Sequence, residues 1–210
     1  MKTLITTMAL IACLTIPAFA ITGLGIGVHV GQTTGYDNGN LDTKIQEISD
    51  ALEQIIGPEA AIETPEFKEK LTNIGAHIKF GTLPVIDFIG FFDYSWKKKE
   101  LTSNVDLRVS NLTYGVTAVK KFGVALFKPY AGAGIAFHKV VYNIESEYES
   151  LLLLLPNDET KMGYHFVGGV ELDFPLFPLA PYAEGKYNII TTSDKSTKYF
   201  LLSVGLTMNF

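Results

Sequence analysis

The sequence predicts an all-β fold, an eight-stranded antiparallel transmembrane β-barrel with a helical insertion in its first outer loop, and three observations lead there. Eight segments alternate apolar with small or polar residues at period two. Beyond the first twenty residues the longest apolar run is Leu151 to Leu155, far below the roughly 20 residues a spanning helix needs. The segments are joined by connections that alternate in length, the pattern of a membrane barrel with short inner turns and longer outer loops.

The first twenty residues read as an export signal. Lys2 supplies the charged start, Leu4 to Ile16 the apolar stretch and Ala18-Phe19-Ala20 the cleavage site, so residues 1–20 are the expected signal peptide and 21–210 the barrel domain. A competing reading takes Leu10-Ile11-Ala12-Cys13 as a lipoprotein motif with Cys13 acylated. If Cys13 leaves with the signal, no cysteine remains for disulfide or thiol chemistry. The formal net charge of −5 and the lack of a long basic run argue against a nucleic-acid partner.

Strands are expected at about 22–33, 73–81, 84–96, 105–119, 129–142, 162–174, 181–191 and 198–210. In the first, Leu24, Ile26, Val28 and Val30 alternate with Gly25, Gly27, His29 and Gly31. The fourth changes phase near Ser110 and Asn111, which predicts a bulge there. Pro84, Pro129 and Pro181 are placed as openers of odd strands, where a missing N–H costs no ladder bond. Turns near Thr82, Lys121 to Phe127 and Pro175 to Leu179 are expected on the inner side, and 34–72, 97–104, 143–161 and 192–197 outside. Lys97-Lys98-Lys99 is read as a solvated hairpin tip.

The first loop, 34–72, carries Leu41, Ile45, Ile48, Leu52, Ile55 and Ile56 at helical spacing, which predicts an amphipathic helix over about 41–56 ended by Gly57-Pro58. A second short helix is expected from Thr64 as N-cap through Pro65 and Phe67 to Leu71. Leu52, Ile55, Leu151, Leu152, Leu153, Leu154 and Leu155 form a candidate hydrophobic patch on the loops.

The last strand places Phe200, Leu202, Val204, Leu206, Met208 and Phe210 on one face, with Ser203 and Gly205 between them. Ser203, Gly205, Met208 and Phe210 resemble the C-terminal β-signal of outer-membrane barrels, and the chain from 21 to 210 resembles the small OmpA/OmpX-like eight-stranded barrels in pattern, not in residue identity. The resemblance implies a place in the outer membrane of a Gram-negative bacterium. It also implies outer-membrane lipid around the barrel and the barrel-assembly machinery as the partner that reads the last strand.

An eight-stranded barrel is just wide enough for its interior to be filled by side chains. The inward set is expected to include His77, Lys79, Asp87, Asp93, Glu171, Asp173, Glu184 and Lys186, either as a structural network or as a narrow polar path. His138 and His165 are placed near the outer rim, with Glu145, Glu147 and Asp158 in the intervening loop. No G-x-S-x-G elbow, His-x-Ser spacing or metal-ligand cluster accompanies them, so neither catalysis nor a cofactor is expected. Phe92, Tyr94, Trp96 and Tyr187 are read as interface aromatics.

The functional expectation is a non-enzymatic barrel with a structural or surface-interaction role through its extracellular loops, a surface protein being one candidate partner. One alternative is a conduit or binding protein for a small hydrophobic ligand. Another is a soluble lipocalin-type carrier, in which the apolar faces turn inward.

Overall fold

The computed structural model describes residues 23–37, 49–50, 53, 70–81, 86–102, 105–123, 126–146, 159–174, 177–191 and 196–210. Eight strands form one closed antiparallel barrel: β1 (Leu24–Asp37), β2 (Thr72–Phe80), β3 (Asp87–Thr102), β4 (Val105–Lys121), β5 (Phe127–Ser146), β6 (Glu159–Leu172), β7 (Leu179–Ile190) and β8 (Thr197–Asn209). Closure is direct, since β1 pairs with both β2 and β8, with Val28 opposite Ala76 on one side and Leu206 on the other. Every strand edge within the barrel is thereby satisfied, the condition for crossing hydrocarbon without helices. The predicted signal peptide lies outside the described residues.

Alternation decides which side faces lipid. Val28, Val204 and Phe166 are more than half exposed on the outside, whereas His29, Ser203 and His165 beside them on the same strands are buried within. The apolar faces therefore point outward, the reverse of a lipocalin, in which they would surround a ligand. Along β8 the pattern is regular, with Lys198, Phe200, Leu202, Val204, Leu206 and Met208 outward and Tyr199, Leu201, Ser203 and Thr207 inward.

Several boundaries differ from expectation for physical reasons. β3 runs on to Thr102 and β5 to Ser146, and Lys97, Lys98 and Lys99 are ladder residues opposite Val109, Arg108 and Leu107 rather than a hairpin tip. Outside the bilayer neither face must be apolar, so the ladder continues after the hydrophobic signal has stopped. No bulge occurs at Ser110–Asn111, where pairing to β3 and β5 is continuous. The apparent change of phase arises because Val109 and Val119, apolar residues, both point inward. Pro129 and Pro181 are the third residues of β5 and β7, not their first, and Pro84 lies outside the described residues.

The one register shift in β1 falls between Thr34 and Asp37, where Gly35 takes φ +68°, a left-handed conformation that glycine adopts without a Cβ penalty. In the first loop Ser49, Asp50 and Glu53 are helical, and the rest of 41–56, Leu52 and Ile55 included, lies outside the described residues. The second predicted helix does not extend to its expected end, because Lys70 and Leu71 are non-helical. Leu71 instead docks on β1: its N–H donates to the Thr33 Oγ1 at 3.0 Å, and its carbonyl accepts from the Thr33 N–H at 2.8 Å. Leu151 to Leu155 also lie outside the described residues.

Candidate functional site

The interior is the candidate site, and its architecture begins with glycine. Six inward rings each lie over a glycine of a neighbouring strand, because a ring can fold flat only where no Cβ stands beneath it. His29 and Gly75 are directly opposite on β1 and β2, and two residues away Gly27 is opposite His77. On β5 and β6, Gly134 faces His165, and His138 lies over Gly163, where a Cβ would come within 2.9 Å of its Nε2. Tyr130 covers Gly169, and Tyr182 covers Gly205. All four histidines of the chain are therefore inward.

At the inner end of the lumen, Lys121 lies between Glu171 at 2.7 Å and Asp87 at 3.4 Å, while Lys79 approaches Glu171 at 3.5 Å and Asn209 more closely. Lys128 pairs with Asp173 just past the end of β6. In the middle, Lys186 of β7 reaches Asp93 of β3 at 3.2 Å and Glu184 at 3.8 Å, with its ammonium 3.7 Å from the centre of the Phe91 ring. His29 meets Asp93 at 2.9 Å, and the Tyr130 hydroxyl donates to Glu184 at 2.8 Å. His77 sits 3.0 Å from the Thr207 hydroxyl and 3.3 Å from that of Tyr182.

Toward the outer end neutral polar and apolar groups predominate, although Lys161 has the inward parity of Gly163 and His165. His165 pairs with Thr117 at 2.8 Å, His138 with Thr113 at 3.0 Å, and the Asn73 amide donates to Ser95 at 2.9 Å. Leu71, Val109 and Ile190 are fully or almost fully buried.

All eight residues expected inside point inward, and they divide into two groups. Lys79, Asp87 and Glu171 share the inner-end network with Asp173 at its rim, while Asp93, Glu184, Lys186 and His77 belong to the middle layer. The sequence reading missed His29, Phe91, Lys121, Lys128, Tyr130 and Tyr182. The signal that would have found the rings is glycine two residues from histidine on strands destined to pair, as in Gly27-Val28-His29 against Gly75-Ala76-His77.

His138 and His165 are not at the rim. Both have no solvent exposure and hydrogen-bond to threonine hydroxyls. The remaining ring nitrogen of each, Nε2 of His138 and Nδ1 of His165, has no hydrogen-bond partner among the described residues. Among the described residues neither has the orienting acid that a hydroxyl–imidazole pair requires to act as nucleophile and base. Of the acids expected in the loop between them, Glu145 is a β5 residue, and Glu147 and Asp158 lie outside the described residues.

A cavity of about 30 Å³ lies among His29, His77, Phe91, Tyr130, Tyr182 and Lys186, room for one or two waters. The lysines and acids offset one another across the lumen, which gives neither a wide path nor a strong field of one sign.

The outer wall carries the membrane signature. Phe80, Phe88, Phe122, Phe127, Phe174 and Phe210 are exposed at the end where the strands meet the chain termini. At the other end Tyr94 stacks on Trp96 at 5.5 Å, and Tyr114 on Phe137 at 5.6 Å. Two aromatic girdles bracketing an apolar band define a bilayer-spanning barrel.

Comparison with known proteins agrees with this geometry. Neisserial surface protein A has a similar structure, with a TM-score of 0.54 and 14% sequence identity over 90% of this chain and 97% of that one. The attachment invasion locus protein Ail of Yersinia pestis is alike to the same degree, TM-score 0.54 and 12% identity over 90% of this chain and 99% of that one. At such identity these likenesses speak to the fold alone. Among curated proteins none matches the sequence. The model of the outer membrane protein β-barrel domain matches residues 6–210, nearly the whole chain, and the protein belongs to that family of Gram-negative outer-membrane barrels.

Proposed function

We propose that the protein is a non-enzymatic surface barrel that docks an extended polypeptide along the outer end of β5, residues 141–146, outside the bilayer. Family membership supports a surface or structural role, and the filled lumen argues against a conduit for hydrophobic solutes. The carrying observation is the length and sequence of β5: it is paired with β4 as far as Val105 opposite Ser146, six residues beyond Val140, whose partner Glu159 is the first described residue of β6.

Residues 141–146 of β5 thus have no strand partner on the β6 side among the described residues. The part of β3 beyond its pairing with β2 bears Lys97, Lys98 and Lys99, the charged residues natural edges use against strand addition. The β5 segment Val141-Tyr142-Asn143-Ile144 carries no such residue. An unprotected edge of β-prone sequence is a template for strand addition, in which main-chain hydrogen bonds supply affinity.

The backbone phase selects the test. Pro129 accepts from Phe122 on the β4 side, and Leu126 accepts from Asp173 on the β6 side, so odd residues of β5 address β4 and even ones the other edge. Tyr142→Pro and Ile144→Pro remove edge donors and spare the β4 ladder. The refolded barrel in detergent micelles is titrated against an array of extended peptides. Some peptides should bind the parent at least tenfold better than either proline variant, each checked for a heat-dependent gel shift. Equal binding by the variants, or no peptide bound at all, removes the reading.

A further inference from the structure

Between its two aromatic girdles the outward wall is apolar with one exception. Lys120, two residues from Phe122 along β4, is outward and exposed, and among the described residues it is the only charged side chain on the lipid-facing rows inward of Tyr94 and Tyr114. The acids of the inner end are engaged elsewhere. Asp87 and Glu171 flank Lys121 inside the barrel, and Asp173 pairs with Lys128. The turn residues 82–85, 124–125 and 175–176 include no acid. The Lys120 ammonium stands over the Phe122 ring, 5.5 Å from its centre.

The wall beside Lys120 is low. Ala131 of β5 is directly opposite it and Gly168 of β6 is opposite Ala131, and in the next row toward the middle of the bilayer Ala118 is opposite Ala133. A Cβ at Gly168 would meet nothing closer than 4.0 Å. Exposed Phe122 borders this hollow on the girdle side, and exposed Ile135 and Phe166 border it on the other.

We propose that Lys120 and this hollow bind one phospholipid of the inner leaflet, its phosphate at the ammonium beside Phe122 and an acyl chain over Ala131 and Gly168. A cation on a lipid-facing wall is costly unless it reaches the interface and an anion there. The ammonium lies toward Phe122, where the girdle marks the headgroup level, and the inner end of the barrel keeps no acid for it. The counter-charge is then the lipid's own phosphate, which accepts from the ammonium in a charge-assisted hydrogen bond. The order along the wall is that of a lipid. The cation is nearest the headgroups, and the small residues follow toward the middle of the bilayer, where a chain can lie close to the strand backbone between bulkier neighbours. The hollow is also continuous with the surface that the bilayer already covers.

The full chain, folded in nonionic detergent, is titrated with phosphatidylglycerol, with diacylglycerol carrying the same chains, and with inorganic phosphate, and lipid occupancy is read by native mass spectrometry. Phosphatidylglycerol should bind saturably, one tight copy per barrel. Lys120→Gln should weaken that copy about fivefold, the worth of one cation near a charged lipid surface, whereas Lys120→Arg should retain it. Diacylglycerol should bind the parent more weakly by a similar factor. Gly168→Leu, whose side chain enters open space, should weaken binding severalfold by filling the hollow. A heat-dependent gel shift establishes that each variant is folded. Equal affinity of the parent and either Lys120→Gln or Gly168→Leu overturns the proposal, as does displacement of the lipid by inorganic phosphate, which would make the site one for the free ion. Tyr142→Pro should leave the titration unchanged, so this inference stands or falls apart from the outer end of β5.

Discussion

Lys186 on β7 and Asp93 on β3 meet across the middle of the barrel at 3.2 Å, both about 95% buried, and each is held by a further partner. Glu184 and the Phe91 ring flank the ammonium, and His29 flanks the carboxylate. Removing one member of such a pair strands a charge in a low-dielectric interior, at a cost of about 3–5 kcal/mol. Asp93→Ala should therefore lower stability by about that amount, read as the urea midpoint of unfolding in micelles. Replacing both together, Asp93→Leu with Lys186→Met, should cost much less than the sum. Additive losses would mean that the two side chains do not depend on each other.

Lys128 and Asp173 provide the contrast at the inner rim, where each side chain is about one third exposed. The hydrogen bond from Lys128 holds the Asp173 carboxyl below the usual carboxylate range. A folded-state pKa depressed in this way stabilises the barrel at pH values above the unfolded one, about 3.9. That contribution disappears as pH falls through the folded value. Solvent screening keeps it below about 1 kcal/mol. Asp173→Asn should shift the unfolding midpoint slightly at pH 7 and not at all at pH 2. A shift equal at both pH values would assign the effect to packing.

The fold was legible because two solvents impose two patterns. Lipid outside and polar groups within write period two into Leu24–Val30 and Phe200–Phe210, and no helix can imitate it over eight segments. Legibility ended where that contrast ended. Lys97 to Thr102 lie in a ladder whose two faces no longer differ in solvent, so they read as a loop. Val109 and Val119 are apolar but inward, so they read as a shift of phase. The inward charges could be named from parity alone, but their partners could not. Asp93 and Lys186 are 93 residues apart, and only the closed barrel brings them together.

Glycine opposite each inner ring has a direct consequence for substitution. At Gly163 a Cβ would lie 2.7 Å from the Ile189 carbonyl and 2.9 Å from Nε2 of His138. Crowding of this kind costs about 1–3 kcal/mol. Gly163→Ala should destabilise within that range, and His138→Ala in the same chain should recover part of the loss. A double-mutant cycle measures the coupling. A coupling indistinguishable from zero would show that the carbonyl, not the ring, demands glycine at this position.

The last strand has two separable properties. Phe210 is 61% exposed, and its N–H donates to the Leu24 carbonyl at 2.8 Å, so its side chain contributes little packing while its backbone helps close the barrel. If Ser203, Gly205, Met208 and Phe210 form the signal read during assembly, Phe210→Ala should lower the amount of folded barrel in cell membranes severalfold. The same variant should refold in micelles nearly as well as the parent, since the backbone bond survives. Equal losses in both settings would make the phenylalanine a structural residue only.

Conduction is the property the interior most plainly opposes. His77, Tyr130, Tyr182 and Lys186 line the 30 Å³ cavity in the middle of the lumen, and the interior of an eight-stranded barrel is just wide enough for side chains to fill. In planar bilayers the parent should show no steady conductance above that of the bare membrane. Truncating the rings, His77→Ala with Tyr130→Ala and Tyr182→Ala, removes the bulk while leaving Lys186 and Asp93 in place, and brief openings should then appear. A steady ohmic conductance in the parent would mean that the layers of the lumen move apart in the bilayer. In that case the polar groups from Lys79 to His138 would line a path rather than fill one.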